Sequence, residues 1–212
     1  MIETSTITLA TAGAHVFDAF AARPATGRSA GILICSEMFG ITEPMRVLAG
    51  TYAERGHSVL VPNVFWRSEP SAALAYEGPE RETAWQRLRG FDFDVAAADL
   101  KIAVAALRVM PGSTGKVAAL GFCMGGRLAY LAAARAGVDA AISLYALGIS
   151  RHLDEMAGIA CPVQLHYGLK DEHVPAAEIE AVGAAARANP RIEMLLYPDA
   201  GHSFFNPVRP TY

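Results

Sequence analysis

An α/β fold, with a mostly parallel central sheet and helices on both of its faces, is predicted by three features of the sequence. Short apolar runs alternate with longer stretches of helical periodicity, the pattern of parallel strands joined by crossover helices. The short runs are continuously hydrophobic rather than alternating, as strands covered on both faces must be. A length of 212 residues suits one domain with a substantial core, so a single domain over residues 1–212 is expected.

The elements follow in order. STITLATAGAHVFDAFAARP, residues 5–24, reads as an antiparallel hairpin leading into the sheet. SAGILICS (29–36) and SVLVP (58–62) are the first two buried strands, and EPMRVLAGTYAERG (43–56) is the helix between them. Residues 66–92 form a long connection of uncertain structure, marked because long connections in compact domains are often functional. DVAAADLKIAVAALRVM (94–110) carries apolar residues three and four apart and is a helix, and KVAALGF (116–122) is the next strand. Between them GSTGK (112–116) is a turn and no phosphate loop: Met110 and Val117 replace the required Gly and Ser or Thr, and a strand follows instead of a helix. The helix GGRLAYLAAARAG (125–137), the strands AAISLYA (140–146) and PVQLHYG (162–168), the helix AAEIEAVGAAARAN (176–189) and the strand RIEMLLYP (191–198) complete the pattern. Several of the helices stop at Gly or Asn, residues that accept the left-handed conformation ending a helix.

Composition excludes several functions. The net charge is −3 and Lys and Arg form no run, which leaves no basic field for nucleic acid. The longest apolar stretches are interrupted, as at Asp99 and Lys101, so no membrane span is expected. No signal peptide is apparent, which points to a cytoplasmic protein. Three cysteines in such a chain argue for reduced thiols rather than a disulfide framework. No Cys or His cluster has the spacing of a metal site, and no cofactor is implied.

The chemistry centres on Gly121-Phe122-Cys123-Met124-Gly125. A nucleophile in G-x-Nuc-x-G, after a strand and before a helix, sits on a sharp turn that exposes its side chain above the sheet edge. Glycines at 121, 125 and 126 remove side chains that would clash there, and the following helix N-terminus favours a thiolate and a developing oxyanion alike. Such a nucleophile needs a base and a group to orient that base, in the chain order acid, then histidine. Asp171 in HYGLKDEHVP and His202 in YPDAGHSFF each lie just beyond a predicted strand, where loops converge in open α/β sheets. Asp199 is the competing acid, but a residue so close to His202 is more often a turn former. His166 reads as a core histidine, and His57, His152 and His173 as residues of solvated loops or helix ends. Cys35 and Cys161 read as packing residues.

With these residues placed, the sequence resembles the dienelactone hydrolase family of α/β-hydrolases, from SEMFGITEPMR through GFCMGG and GLKDEHVP to AGHSFFN. The resemblance implies an α/β-hydrolase fold and the opening of small unsaturated lactones by a cysteine nucleophile. It assigns Glu37 as a carboxylate that interacts with the resting thiol and is displaced when substrate binds. It implies an oxyanion hole made by the backbone N–H groups of Met38 and Met124, and a substrate carboxylate held by Arg81. Trp85 stands where the family can carry a tyrosine, and Tyr145 is a further candidate for the pocket wall. A second substrate arginine of the family is replaced by Asn206, and Arg209 is the residue that could reach back in its stead. The chain also stops ten residues after His202, apparently without the family's usual final helix, so a dimer partner is one way to cover the last strand.

The expected activity is thus hydrolysis of a small-molecule lactone or activated ester through Cys123, His202 and Asp171, by a monomer or homodimer. The alternatives are a redox-responsive or ligand-binding homologue without turnover, and a structural subunit whose last strand recruits a partner.

Overall fold

The computed structural model describes residues 1–11, 13 and 15–208. Eight strands form one sheet: β1 (Ile2–Ala10), β2 (Val16–Pro24), β3 (Ser29–Cys35), β4 (Ser58–Pro62), β5 (Ser113–Phe122), β6 (Ala140–Leu144), β7 (Val163–Gly168) and β8 (Ile192–Tyr197). Their spatial order is β1-β2-β4-β3-β5-β6-β7-β8. β1 and β2 pair antiparallel, and β2 pairs antiparallel with β4. All remaining pairs are parallel. The hairpin expected over 5–24 is therefore present and begins earlier, at Ile2, although residues 12 and 14 of its connection lie outside the described residues.

The helices are α1 (Glu43–Glu54), α2 (Pro79–Arg89), α3 (Phe93–Val109), α4 (Met124–Leu131) and α5 (Ala176–Ala186). β3 shows how the two faces are built. Ile32 and Ile34 join a core with Met45, Ala49 and Ala53 of α1, whereas Leu33 and Cys35 join a second core with α3 and α4. Strand side chains point alternately to opposite faces, so a fully apolar strand is what a sheet covered on both sides requires. α3 is started by Asp92, whose carboxylate accepts from the N–H groups of Asp94 and Val95, satisfying donors that would otherwise lack partners. Asp99, one of the two charges interrupting the apolar run, is buried on this helix and compensated by Arg67 and by Trp66 Nε1 at 2.9 Å.

Four local expectations are corrected. The connection 66–92 contains α2, whose charges at 80, 81, 82, 87 and 89 leave too few apolar positions for a periodicity to show. Residues 113–115, read as part of a turn, already belong to β5, and the chain turns at Gly112 with φ +78°. The helix expected over 125–137 is regular to Leu131, then widens to a π turn over Ala132–Ala136 and closes on Gly137 with φ +71°. His152, expected at a solvated position, is buried on a 3-10 segment spanning Ile149–Gly158. Its Nε2 lies 2.6 Å from Arg127 Nη2, and burial and then the charges of Arg127 and Arg135 push its pKa down. Arg127 donates to Nε2, while Nδ1 stands 3.2 Å from Glu155 Oε1, an arrangement that no sequence periodicity reports.

The parallel strands all end at one edge of the sheet. β3, β5, β6, β7 and β8 there deliver Glu37, Cys123, Tyr145, Asp171 and His202 in turn.

Candidate active site

Cys123 occupies the turn between β5 and α4 with φ +58° and ψ −123°. A residue other than Gly at positive φ is strained, and such strain persists only where the surroundings enforce it. Here the enforcement is visible. Cys123 N donates to Leu144 O at 3.0 Å, and Gly126 N donates to Cys123 O at 2.9 Å. A Cβ on Gly121 would stand 1.8 Å from Gly125 O, and one on Gly125 would stand 2.1 Å from Cys35 O and 2.4 Å from Ser36 O. The second contact also shows that the chain leaving β3 runs against the first turn of α4. Met38 and Met124, both buried, are brought to neighbouring segments by this approach.

Asp171 follows β7 and His202 follows β8, and each is 7% exposed. His202 Nδ1 lies 2.7 Å from Asp171 Oδ2, while Asp171 Oδ1 accepts from the N–H of His173 at 2.8 Å. The Cys123 side chain hydrogen-bonds His202 as well. Burial alone would push the His202 pKa down, but its hydrogen bonds to Asp171 and Cys123 and the charge of Asp171 outweigh it and lift it to about 10. His202 thus stands between two acidic groups, Asp171 and Cys123. Asp199, the competing acid, is exposed and pairs with Lys170 at 2.7 Å.

Around this line stand aromatic rings. Tyr145 packs edge-on against His202, with centroids 5.0 Å apart, and against Phe204 at 5.4 Å. Its relative exposure is 0%, so it braces the imidazole from behind; the expectation of an open pocket wall is corrected, because a ring without accessible surface cannot meet a substrate. His173, expected to be solvated, is wedged between Trp85 at 5.7 Å and His202 at 4.8 Å. Trp85 thus reaches the site's edge through His173. Arg81 is exposed one turn earlier on α2, on the same helix face as Trp85.

Glu37 is buried on the loop after β3, and its Oε2 accepts from Asn206 Nδ2 at 3.3 Å. Asn206 therefore reaches the Glu37 carboxylate. Arg209 lies outside the described residues. Between Tyr197 and Val208 the described chain forms turns and no helix. Cys35 is fully buried, which pushes its thiol up to about 12, and Cys161 packs at the core's margin. His166 Nδ1 lies 2.8 Å from Tyr197 Oη, and the two rings stack.

Arg87 was legible in the sequence only as one more charge on an unassigned connection, yet it is buried beside this site. Its Nη2 donates to Met38 O at 2.6 Å, and its Nη1 donates to Ala72 O at 2.8 Å and Pro70 O at 3.0 Å. Among the described residues no group of three or more His, Cys, Asp or Glu is arranged to hold a metal ion, and no helix is long and apolar enough to cross a membrane.

A mostly parallel sheet with a strained turn at Cys123 after β5, Asp171 after β7 and His202 after β8 has the architecture of an α/β-hydrolase fold. Residues 17–212 match the model of the dienelactone hydrolase family, and the chain belongs to that family. It is 33% identical over 191 residues to the carboxymethylenebutenolidase of Pseudomonas putida, covering 90% of this chain and 81% of that one. It is 32% identical over 197 residues to carboxymethylenebutenolidase 1 of Cupriavidus pinatubonensis, covering 92% and 84%. Among solved structures, a putative dienelactone hydrolase from Klebsiella pneumoniae superposes with a TM-score of 0.85 at 25% identity, covering 100% of this chain and 92% of that one. A dienelactone hydrolase-like promiscuous phosphotriesterase from metagenomic libraries shares the fold, with a TM-score of 0.80 at 21% identity over 97% of this chain and 85% of that one. The protein is a hydrolase of the dienelactone hydrolase family.

Proposed function

We propose that the protein opens small lactones such as dienelactone, or cleaves related activated esters, through an acyl-thioester on Cys123. The observation that carries this reading is the Asp171–His202 contact of 2.7 Å, with the thiol of Cys123 bonded to the same imidazole. Nδ1 is committed to Asp171, which leaves Nε2 to exchange a proton with sulfur.

The thiolate attacks the carbonyl carbon, and the carbonyl electrons move to oxygen. The N–H groups of Met38 and Met124 receive that oxyanion, each such donor being worth about 3 kcal/mol in the transition state. Collapse breaks the ring C–O bond, and the leaving enolate takes the proton from His202. Water, deprotonated by His202, then attacks the thioester and releases the acid. A sulfur nucleophile suits a stable leaving group of this kind and makes amides poor substrates.

Glu37 is assigned to the resting thiol, and its hold by Asn206 supports a carboxylate placed for that duty. A thiolate formed only when substrate arrives is protected from oxidation. Arg81 and Trp85, on one face of α2, are assigned to the substrate, with Arg81 pairing a carboxylate. With Asn206 in place of a second arginine, selectivity for carboxylated lactones is relaxed, since one charged hydrogen bond is worth about 1.5–3 kcal/mol.

Ultraviolet-monitored opening of cis- and trans-dienelactone, and hydrolysis of p-nitrophenyl acetate, test the reading beside Cys123→Ala. Turnover by the natural chain and none by the variant is expected. A natural chain inert on every lactone and ester overturns it.

A further inference from the structure

We propose that Arg87 is a positioning residue for the oxyanion hole, fixing the Met38 segment by hydrogen bonds to main-chain carbonyls; the proposal rests on the hydrolytic reading above. Arg87 lies in the last turn of α2 and is 7% exposed. No carboxylate pairs with it among the described residues. Its hydrogen bonds run instead to the carbonyls of Met38, Ala72 and Pro70, and its guanidinium lies 3.7 Å from the centroid of the Phe65 ring. Burial lowers its pKa only to about 10, so it keeps its charge at neutral pH.

A buried cation without a carboxylate is costly, and an apolar side chain would cover Phe65 at less expense. What the guanidinium adds is direction. Its planar fork can seize several carbonyls at once in fixed geometry, which neither Lys nor Leu can do. The carbonyls it seizes belong to two separate segments, 37–40 and 70–73.

The Met38 segment is pinned at both ends. At one end Cys35 O and Ser36 O abut Gly125 of α4 so closely that a Cβ could not enter. At the other, Arg87 holds Met38 O, Leu74 N donates to Phe39 O at 2.9 Å, and Gly40 N closes the turn on Glu37 O at 3.1 Å. The Met38 N–H lies between these pins. Since α2 also carries Arg81 and Trp85, the helix assigned to the substrate and the donor assigned to the oxyanion share one brace.

The test compares two reactions of Cys123 in the natural chain, Arg87→Met and Arg87→Lys. Acylation by p-nitrophenyl acetate builds an oxyanion, whereas alkylation by iodoacetamide displaces iodide from a saturated carbon and builds none. In Arg87→Met, acylation falls on the order of a hundredfold, the loss that a misplacement of about 1 Å produces. Alkylation and KM stay at the natural values, and Arg87→Lys recovers part of the loss. Unchanged acylation in Arg87→Met overturns the proposal. So does a parallel fall of both reactions, which reports a displaced thiol or a damaged fold; should Arg87→Met fail to fold, Arg87→Lys carries the same comparison. A natural chain that is alkylated but never acylated removes the hydrolytic reading itself, and the oxyanion hole with it.

Discussion

Asp171 Oδ2 lies 2.7 Å from His202 Nδ1, and both side chains are buried at the ends of adjacent parallel strands. The contact decides which imidazole nitrogen faces the thiol, because a carboxylate accepts only from a protonated Nδ1. Replacing it by an amide preserves shape and removes that decision. Asp171→Asn is expected to lose acylation by about 10⁴-fold while still folding, the pattern of a base held in the wrong tautomer. Burst kinetics with p-nitrophenyl acetate beside a thermal melt measure both effects.

His202 carries a pH signature. Its folded pKa is raised to about 10, above the ordinary value of about 6.5. The stability it contributes is therefore fully present below about pH 6.5 and is lost as pH rises through about 10. In Cys123→Ala one of the two acidic partners is gone, and the His202 titration moves down. Imidazole resonances followed by NMR across this window read the shift, and an unmoved midpoint refutes the thiol contact.

The elbow predicts a steric asymmetry between two glycines. Gly125→Ala places a methyl 2.1 Å from Cys35 O, with backbone on both sides and nothing flexible to yield. A loss of about 3 kcal/mol or more is expected, at the upper end of overpacking. Gly158 has nothing within 4 Å of its added Cβ, and Gly158→Ala stays within about 0.5 kcal/mol of the natural chain. Urea unfolding of the two variants makes the comparison.

Arg81 is exposed on α2, so its expected contribution is confined to charged substrates. Arg81→Ala raises KM for carboxylated lactones by about tenfold, equivalent to about 1.4 kcal/mol, and leaves p-nitrophenyl acetate untouched. Equal losses on both substrates indicate that α2 has shifted instead.

Legibility in the sequence follows the range of the interaction responsible. Gly121, Cys123 and Gly125 are readable because they form one five-residue motif, although only the clash at Gly121 is local and that at Gly125 is with Cys35 O and Ser36 O of a distant segment. Asp171 and His202 are readable because each ends an apolar strand, and strand ends converge by topology. His173 and Arg87 are not readable. His173 is wedged between Trp85 and His202, and Arg87 grips the carbonyl of Met38, forty-nine positions away. Neither contact leaves a local pattern. α2 was hidden for a related reason: its charged sequence shows no apolar stripe, since much of it faces solvent and one of its buried residues is Arg87. His152 looked like a surface histidine because only the fold supplies Arg127 and Arg135 as its neighbours.

The most direct measurement is rapid quenching of the protein with p-nitrophenyl acetate, followed by intact-protein and peptide mass spectrometry, in the natural chain and in Asp171→Asn and Cys123→Ala. The account predicts one acetyl group on the peptide bearing Cys123 during the natural chain's burst, slow appearance of the same adduct in Asp171→Asn, and none in Cys123→Ala. An acetyl group on another residue, or turnover that survives in Cys123→Ala, contradicts it.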